Sequence, residues 1–124
     1  MILFVDDEPE LRDITATVLR SCGYDVRTAS NANDALWLLH QNADDVGLVI
    51  TDFLMPGMSG LDLANTIREL HPDISVMLAS GYADVVPDRR EDLQFIDKPF
   101  DFELLLEKIK TVFRGGQQPG QKVG

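Results

Sequence analysis

Short apolar runs recur along this chain, and the stretches between them carry helical spacing. Residues 2–5, 24–28, 46–51, 74–79 and 93–96 read as strands, the second of them the weakest. The runs around Ile50 and Met77 are almost continuously apolar, as strands buried on both faces are. Glu8-Pro9-Glu10 opens a helix: proline suits the first helical position and acids favour the positive end of the dipole. Leu11, Ile14, Val18 and Cys22 follow at helical spacing, and Gly23 supplies the stop. Residues 31–41 read as a second helix carrying Ala35, Leu36, Leu38 and Leu39. Met55-Pro56-Gly57-Met58-Ser59-Gly60 is a turn-rich loop, and Ser59 or a neighbour caps a helix running to about Leu70. His71-Pro72 ends it, because the residue before proline avoids helical geometry. The last helix, 101–114, puts Phe102, Leu105, Leu106, Ile109, Val112 and Phe113 on one face. Strands alternating with helices need crossover connections, so the chain is expected to be α/β, with a parallel sheet covered on both faces. The segment before residue 93 fits least well: Gly81, Pro87 and the charge cluster at 88–92 predict a short or irregular helix.

The residues that end these runs carry the chemistry. Asp6 and Asp7 follow the first, Asp52 the third and Ser80 the fourth, and Lys98 closes the fifth after Asp97. In a parallel sheet all five would emerge at one carboxyl edge, where open α/β sheets bind ligands. Taken singly, each has a plain alternative. Asp6-Asp7-Glu8 is equally an acidic helix start, Asp52 a strand-ending cap, Lys98 a solvated charge, and Ser80 alone is uninformative. Together they describe a site for a divalent cation and a phosphoryl group. Mg²⁺ takes oxygen ligands, usually one or two carboxylates with waters and a phosphate, and a cation removes the repulsion between adjacent acids. A carboxylate such as Asp52 can attack phosphorus to give an acyl phosphate while the cation neutralises the transferring oxygens. Pro99 restricts the backbone of Lys98, and a cis bond there would aim the ammonium inward, towards a phosphate oxygen or Asp52.

Composition narrows the function. At 124 residues the chain is about one domain, expected over 1–114, with the Gly-, Gln- and Pro-rich 115–124 as a flexible tail or linker. A net charge of −10 argues against direct nucleic-acid binding, which needs clustered Lys and Arg; Arg89-Arg90 is flanked by acids and reads as a solvated loop or helix end. No apolar run approaches the ~18 residues of a membrane span, and Asp6 interrupts the N-terminus too early for a signal peptide. A cytoplasmic location away from membranes is the default expectation. The single Cys22 leaves no internal disulfide and no cysteine metal site, and its place on the helical stripe predicts a buried thiol.

In this order and spacing, Phe4-Val5-Asp6-Asp7-Glu8, Thr51-Asp52-Phe53-Leu54-Met55-Pro56-Gly57-Met58-Ser59-Gly60, Ser80-Gly81-Tyr82 and Asp97-Lys98-Pro99-Phe100 resemble the response-regulator receiver domain of two-component signalling. The resemblance implies a flavodoxin-like, doubly wound five-stranded sheet of order 2-1-3-4-5. It implies phosphorylation of Asp52 by a histidine kinase or histidine phosphotransfer protein. Asp7, Asp52 and the backbone carbonyl of Leu54 would hold Mg²⁺ directly, and Asp6 through water. Ser80 would be the switch hydroxyl, Lys98 its positive partner, and Phe95 the switch aromatic, although a plain core role suits Phe95 equally. Such a module assists its own phosphoryl transfer without being a conventional enzyme. It is expected to be a monomer or a weak phosphorylation-dependent dimer that controls an attached or separate output domain. The Ser80–Lys98 interval is shorter than in chemotaxis-type regulators, which puts the family's usual dimerisation surface in question. Ser80-Gly81-Tyr82 with Lys98-Pro99-Phe100 looks more like receivers of hybrid sensor kinases. Leu54 and Tyr82, bulky and poor at positioning water, predict slow self-hydrolysis of the phospho-aspartate.

Two other functions fit part of the pattern. A Mg²⁺-dependent phosphohydrolase would share the aspartyl phosphate, but dehalogenase-type phosphatases place a second acid where this chain has Leu54. A vestigial receiver acting only as an interaction domain would need the site degraded, and every expected residue is present.

Overall fold

The computed structural model describes residues 1–81 and 93–115. Its elements in chain order are β1 (Ile2–Val5), α1 (Pro9–Ser21), β2 (Val26–Ala29), α2 (Ala32–Asn42), β3 (Leu48–Asp52), α3 (Gly60–Leu70), β4 (Ser75–Gly81), β5 (Gln94–Lys98) and α4 (Phe102–Gly115). The strands form one parallel sheet of order β2-β1-β3-β4-β5. The chain moves outward from β1 to β2 and then back across to β3. The strand order therefore reverses at β1 and β3, and a crevice opens there at the carboxyl edge.

Strand alternation supplies two cores. Leu3, Val5, Val49, Val76 and Leu78 face Ala35 and Leu39 of α2 and Leu63, Ala64 and Ile67 of α3. Ile2, Phe4, Leu48, Ile50, Met77 and Ala79 face Ala16 and Leu19 of α1 and Leu105, Ile109 and Phe113 of α4. Each fully buried side chain of this size is worth about 1.5–3 kcal/mol relative to exposure, so the alternation fixes the register. Short polar side chains start three of the helices. Asn31 accepts from the Asp34 N–H at 2.8 Å, Ser59 from Asp62 at 3.1 Å, and Asp101 from Glu103 at 3.0 Å. α1 starts instead with Pro9 at its first turn and no side-chain cap.

Three expectations need correction. The buried face of α1 is Thr15, Ala16 and Leu19, whereas Ile14 is 53% exposed. Small Thr15 and Ala16 carry little hydropathy signal, so the larger residues pulled the predicted stripe one position aside. Cys22 is exposed, not buried: it caps the C-terminus of α1, with its N–H on Leu19 O, where the chain has already left the helix. Finally, β4 and β5 extend to Gly81 and Lys98, because Ser80 and Gly81 pair with Asp97 and Lys98 through backbone groups that are indifferent to side-chain polarity. The expected irregular fourth helix, Tyr82, Arg89-Arg90 and the tail from 116 onward lie outside the described residues. Among the described residues no helix is long and apolar enough to cross a membrane.

Candidate phosphoryl-transfer site

Asp6 follows β1 and Asp52 ends β3. Val5 is paired with Thr51, so the two aspartates leave neighbouring strands at the same level. Asp6 is 1% exposed and Asp52 9%, while Asp7 is open to solvent. One carboxylate oxygen from each of Asp6, Asp7 and Asp52 lies within 4.8 Å of the other two. Lys98, at the end of β5, reaches across β4 and β3 to this cluster. Its Nζ is 3.0 Å from Asp6 Oδ2 and 3.3 Å from Asp52 Oδ2. The Lys98–Pro99 peptide bond is cis. Phe4 beneath Asp6 meets Phe100 edge-on at 6.1 Å, which packs the β5–α4 connection against the end of β1.

Asp6 is held at every polar group. Its Oδ1 accepts the Glu8 N–H at 2.9 Å, its Oδ2 accepts from Lys98, and its carbonyl accepts Arg12 Nη1 at 2.9 Å. The Asp6 N–H donates to Ala29 O at 3.1 Å. Asp52 is fixed through backbone neighbours. The Phe53 N–H continues the pairing with β4 by donating to Ala79 O at 2.7 Å, and Gly60 N–H donates to Phe53 O at 2.9 Å. Gly60 lies so close that any Cβ there would collide with the Asp52 carbonyl.

The electrostatics follow from burial and crowding. Burial pushes the Asp52 carboxyl above the ordinary carboxylate range; Lys98 pulls it down, and the charges of Asp6 and Asp7 push it up again. Burial also works to lower the Lys98 pKa, but its hydrogen bond to Asp6 and the charges of Asp52 and Asp6 together outweigh this and leave it raised. Three carboxylates face one ammonium, which is an excess of negative charge with oxygen donors of the kind a hard divalent cation takes. The donor set therefore fits Mg²⁺.

Ser80, 2% exposed, sits on β4 one residue beyond Ala79, the register partner of Asp52. Alternation with Val76 and Leu78 turns it towards the α2–α3 side. Phe95 is partly buried and packs against the same core. The Leu54 side chain is 56% exposed beside Asp52.

A family model described as response regulator receiver domain matches residues 2–110. The chain belongs to the response-regulator receiver family. The receiver is 33% identical to the sensor kinase CckA of Brucella abortus over 115 residues, which cover 90% of this chain and 12% of CckA. It is 30% identical to the response regulator receiver protein CpdR of the same organism, covering 90% of this chain and 94% of CpdR. Among solved structures, response regulator protein TrrA of Thermotoga maritima, in complex with Mg²⁺ and BeF, superposes with a TM-score of 0.81 at 35% identity, covering 90% of this chain and 96% of that one. The receiver spans about half or less of the length of CckA and of several transcriptional regulators that it matches. As a receiver it is a phosphoacceptor signalling domain of a two-component system.

The structure gathers Asp6, Asp7, Asp52 and Lys98 and puts Ser80 at the same edge. Sequence reasoning passed over Arg12 and the backbone of Glu8. The available signal was an arginine six residues beyond Asp6, on the helix that starts at the site.

Proposed function

We propose that Asp52 accepts a phosphoryl group from the phosphohistidine of a histidine kinase or phosphotransfer protein. The convergence of the Asp6, Asp7 and Asp52 carboxylates, with Lys98 bridging the two buried ones, carries this reading. Asp7, Asp52 and the carbonyl of Leu54 would hold Mg²⁺ directly and Asp6 through water. That assignment agrees with Asp6 already using both oxygens in hydrogen bonds. The bound cation would offset charge on the phosphoryl oxygens. One Asp52 oxygen attacks phosphorus, and the new O–P bond forms as the P–N bond of the donor breaks; the electron pair returns to the donor ring, which is protonated on its other nitrogen and so leaves as neutral imidazole. Lys98 shifts from the carboxylates towards a phosphoryl oxygen, and the Ser80 hydroxyl donates to another. Phe95 follows Ser80 inward, and the altered β4–β5 surface controls an attached or separate output domain. TrrA has also been solved in complex with the histidine kinase ThkA, which supports a kinase as the donor.

Incubation with acetyl phosphate and Mg²⁺, followed by intact mass measurement, tests this. One added phosphoryl group is expected, absent from Asp52→Asn and absent without Mg²⁺. Sustained turnover of simple phosphate esters would point instead to a phosphohydrolase. Leu54 offers no polar group to orient water, which supports a long-lived phospho-aspartate. Leu54→Asn supplies an amide that can orient the attacking water and is expected to speed phosphoryl loss, as followed by the decay of the adduct.

A further inference from the structure

We infer that Arg12 is a positioning residue for the cation ligands, acting through the peptide that joins Asp6 to Asp7. The inference rests on the proposed function and adds a residue to its machinery. Arg12 sits in the second turn of α1, its own N–H bonded to Glu8 O at 3.0 Å, and its Nη1 donates to the Asp6 carbonyl at 2.9 Å. That carbonyl belongs to the last peptide before Asp7. A peptide unit is planar, so fixing the direction of the Asp6 C=O fixes the direction in which the chain enters Asp7. Of the other Asp6 groups, the N–H is held by Ala29 and the carboxylate by Glu8 and Lys98; the Glu8 contact closes a turn around this peptide, but the Arg12 guanidinium is the group that holds its carbonyl. Asp7 is exposed, yet one of its oxygens lies within 4.8 Å of ligand atoms on Asp6 and Asp52. An exposed side chain keeps such a place only if its backbone is aimed, and the guanidinium is the strut that aims it.

Charge and position make opposite demands here, which makes the idea testable. Arg12 is a cation near a cation site, so by charge alone its removal would strengthen Mg²⁺ binding. If it positions Asp7, its removal weakens binding.

The test is calorimetric titration of Mg²⁺ into the wild-type protein, Arg12→Met and Arg12→Lys, with metal-free melting recorded for each. Arg12→Met keeps an apolar stem and loses the donor; its Mg²⁺ Kd is expected to rise about tenfold, the low end of what outer-shell partners of metal ligands contribute. Arg12→Lys keeps a donor and is expected to recover most of the affinity. Phosphorylation of Arg12→Met by acetyl phosphate is expected to recover at saturating Mg²⁺. An unchanged or tighter Kd in a folded Arg12→Met overturns the inference, and so does a Lys variant no better than the Met one. If Arg12→Met fails to fold, Arg12→Leu, which also lacks a donor, is titrated in its place and read in the same way. Wild-type protein that binds no Mg²⁺ fails the proposed function itself, which separates that failure from this one.

Discussion

Lys98 holds two buried carboxylates at once, so its removal exposes the cost of the site. With Lys98→Ala, Asp6 and Asp52 lose the ammonium between them while remaining out of water. Breaking a fully buried pair costs about 3–5 kcal/mol; Lys98 keeps some solvent contact, so about 2 kcal/mol is expected from urea unfolding without metal. Added Mg²⁺ is expected to recover part of that loss. Thr15 presents the opposite case. Its hydroxyl is fully buried and, among the described residues, without a hydrogen-bond partner. Thr15→Val keeps the shape and deletes the orphan group, so it is expected to stabilise the protein by about 1 kcal/mol, read as a raised urea midpoint. The aspartates and the lysine were legible in the sequence because a charge that ends an apolar run has few places to go. Thr15, Arg12 and Cys22 were not. A small polar residue on a buried face and an arginine bound to a carbonyl carry no periodic signal, and Cys22 continues the apolar spacing past the point where the helix ends.

At the level of elements, β3 and α3 depend on one another at Gly60. The helix starts against the backbone of the residue that carries the candidate phosphoacceptor, and only a hydrogen fits between them. Gly60→Ala forces either the helix start away or the end of β3 out of register. Overpacking of this kind costs about 1–3 kcal/mol, and here the strain falls on Asp52 itself. The variant is expected to lose phosphorylation rate more than its melting temperature suggests, which comparing adduct formation with thermal unfolding would show. The strand–helix alternation was legible throughout, because buried parallel strands need unbroken apolar runs. The ends of β4 and β5 were not: Ser80, Gly81, Asp97 and Lys98 pair by backbone groups, while the side chains of Ser80 and Lys98 stand at the candidate site. Those two residues thus finish the sheet and equip its edge, and sequence patterning sees only the second role.

For the molecule as a whole, the raised Asp52 pKa costs stability near neutrality without metal, and a bound cation is expected to offset that cost. The folded-state pKa of Asp52 is raised above its unfolded value, mainly by burial. Between those two values the folded protein holds a proton that the unfolded chain has lost. Stability from this group is therefore full below the unfolded pKa and is lost as pH rises through the folded one. Asp52→Asn removes that loss. The stability difference between the variant and wild type, without Mg²⁺, is expected to shift in favour of the variant as pH rises from acid to neutrality. Urea midpoints measured across this pH range would show it, and a difference independent of pH would contradict the burial argument. Mg²⁺ bound at the candidate site is expected to reverse the order. A ligand that binds only the folded state stabilises by RT ln(1 + [L]/Kd), about 2.7 kcal/mol at a hundredfold excess over Kd. Wild-type protein is expected to gain an increment of that kind at neutral pH and lose it in acid as Asp52 protonates. Asp52→Asn, which lacks one of the proposed ligands, should gain much less. A chain of net charge −10 that bound Mg²⁺ only diffusely would show the same increment in both proteins, so the difference between them isolates the site.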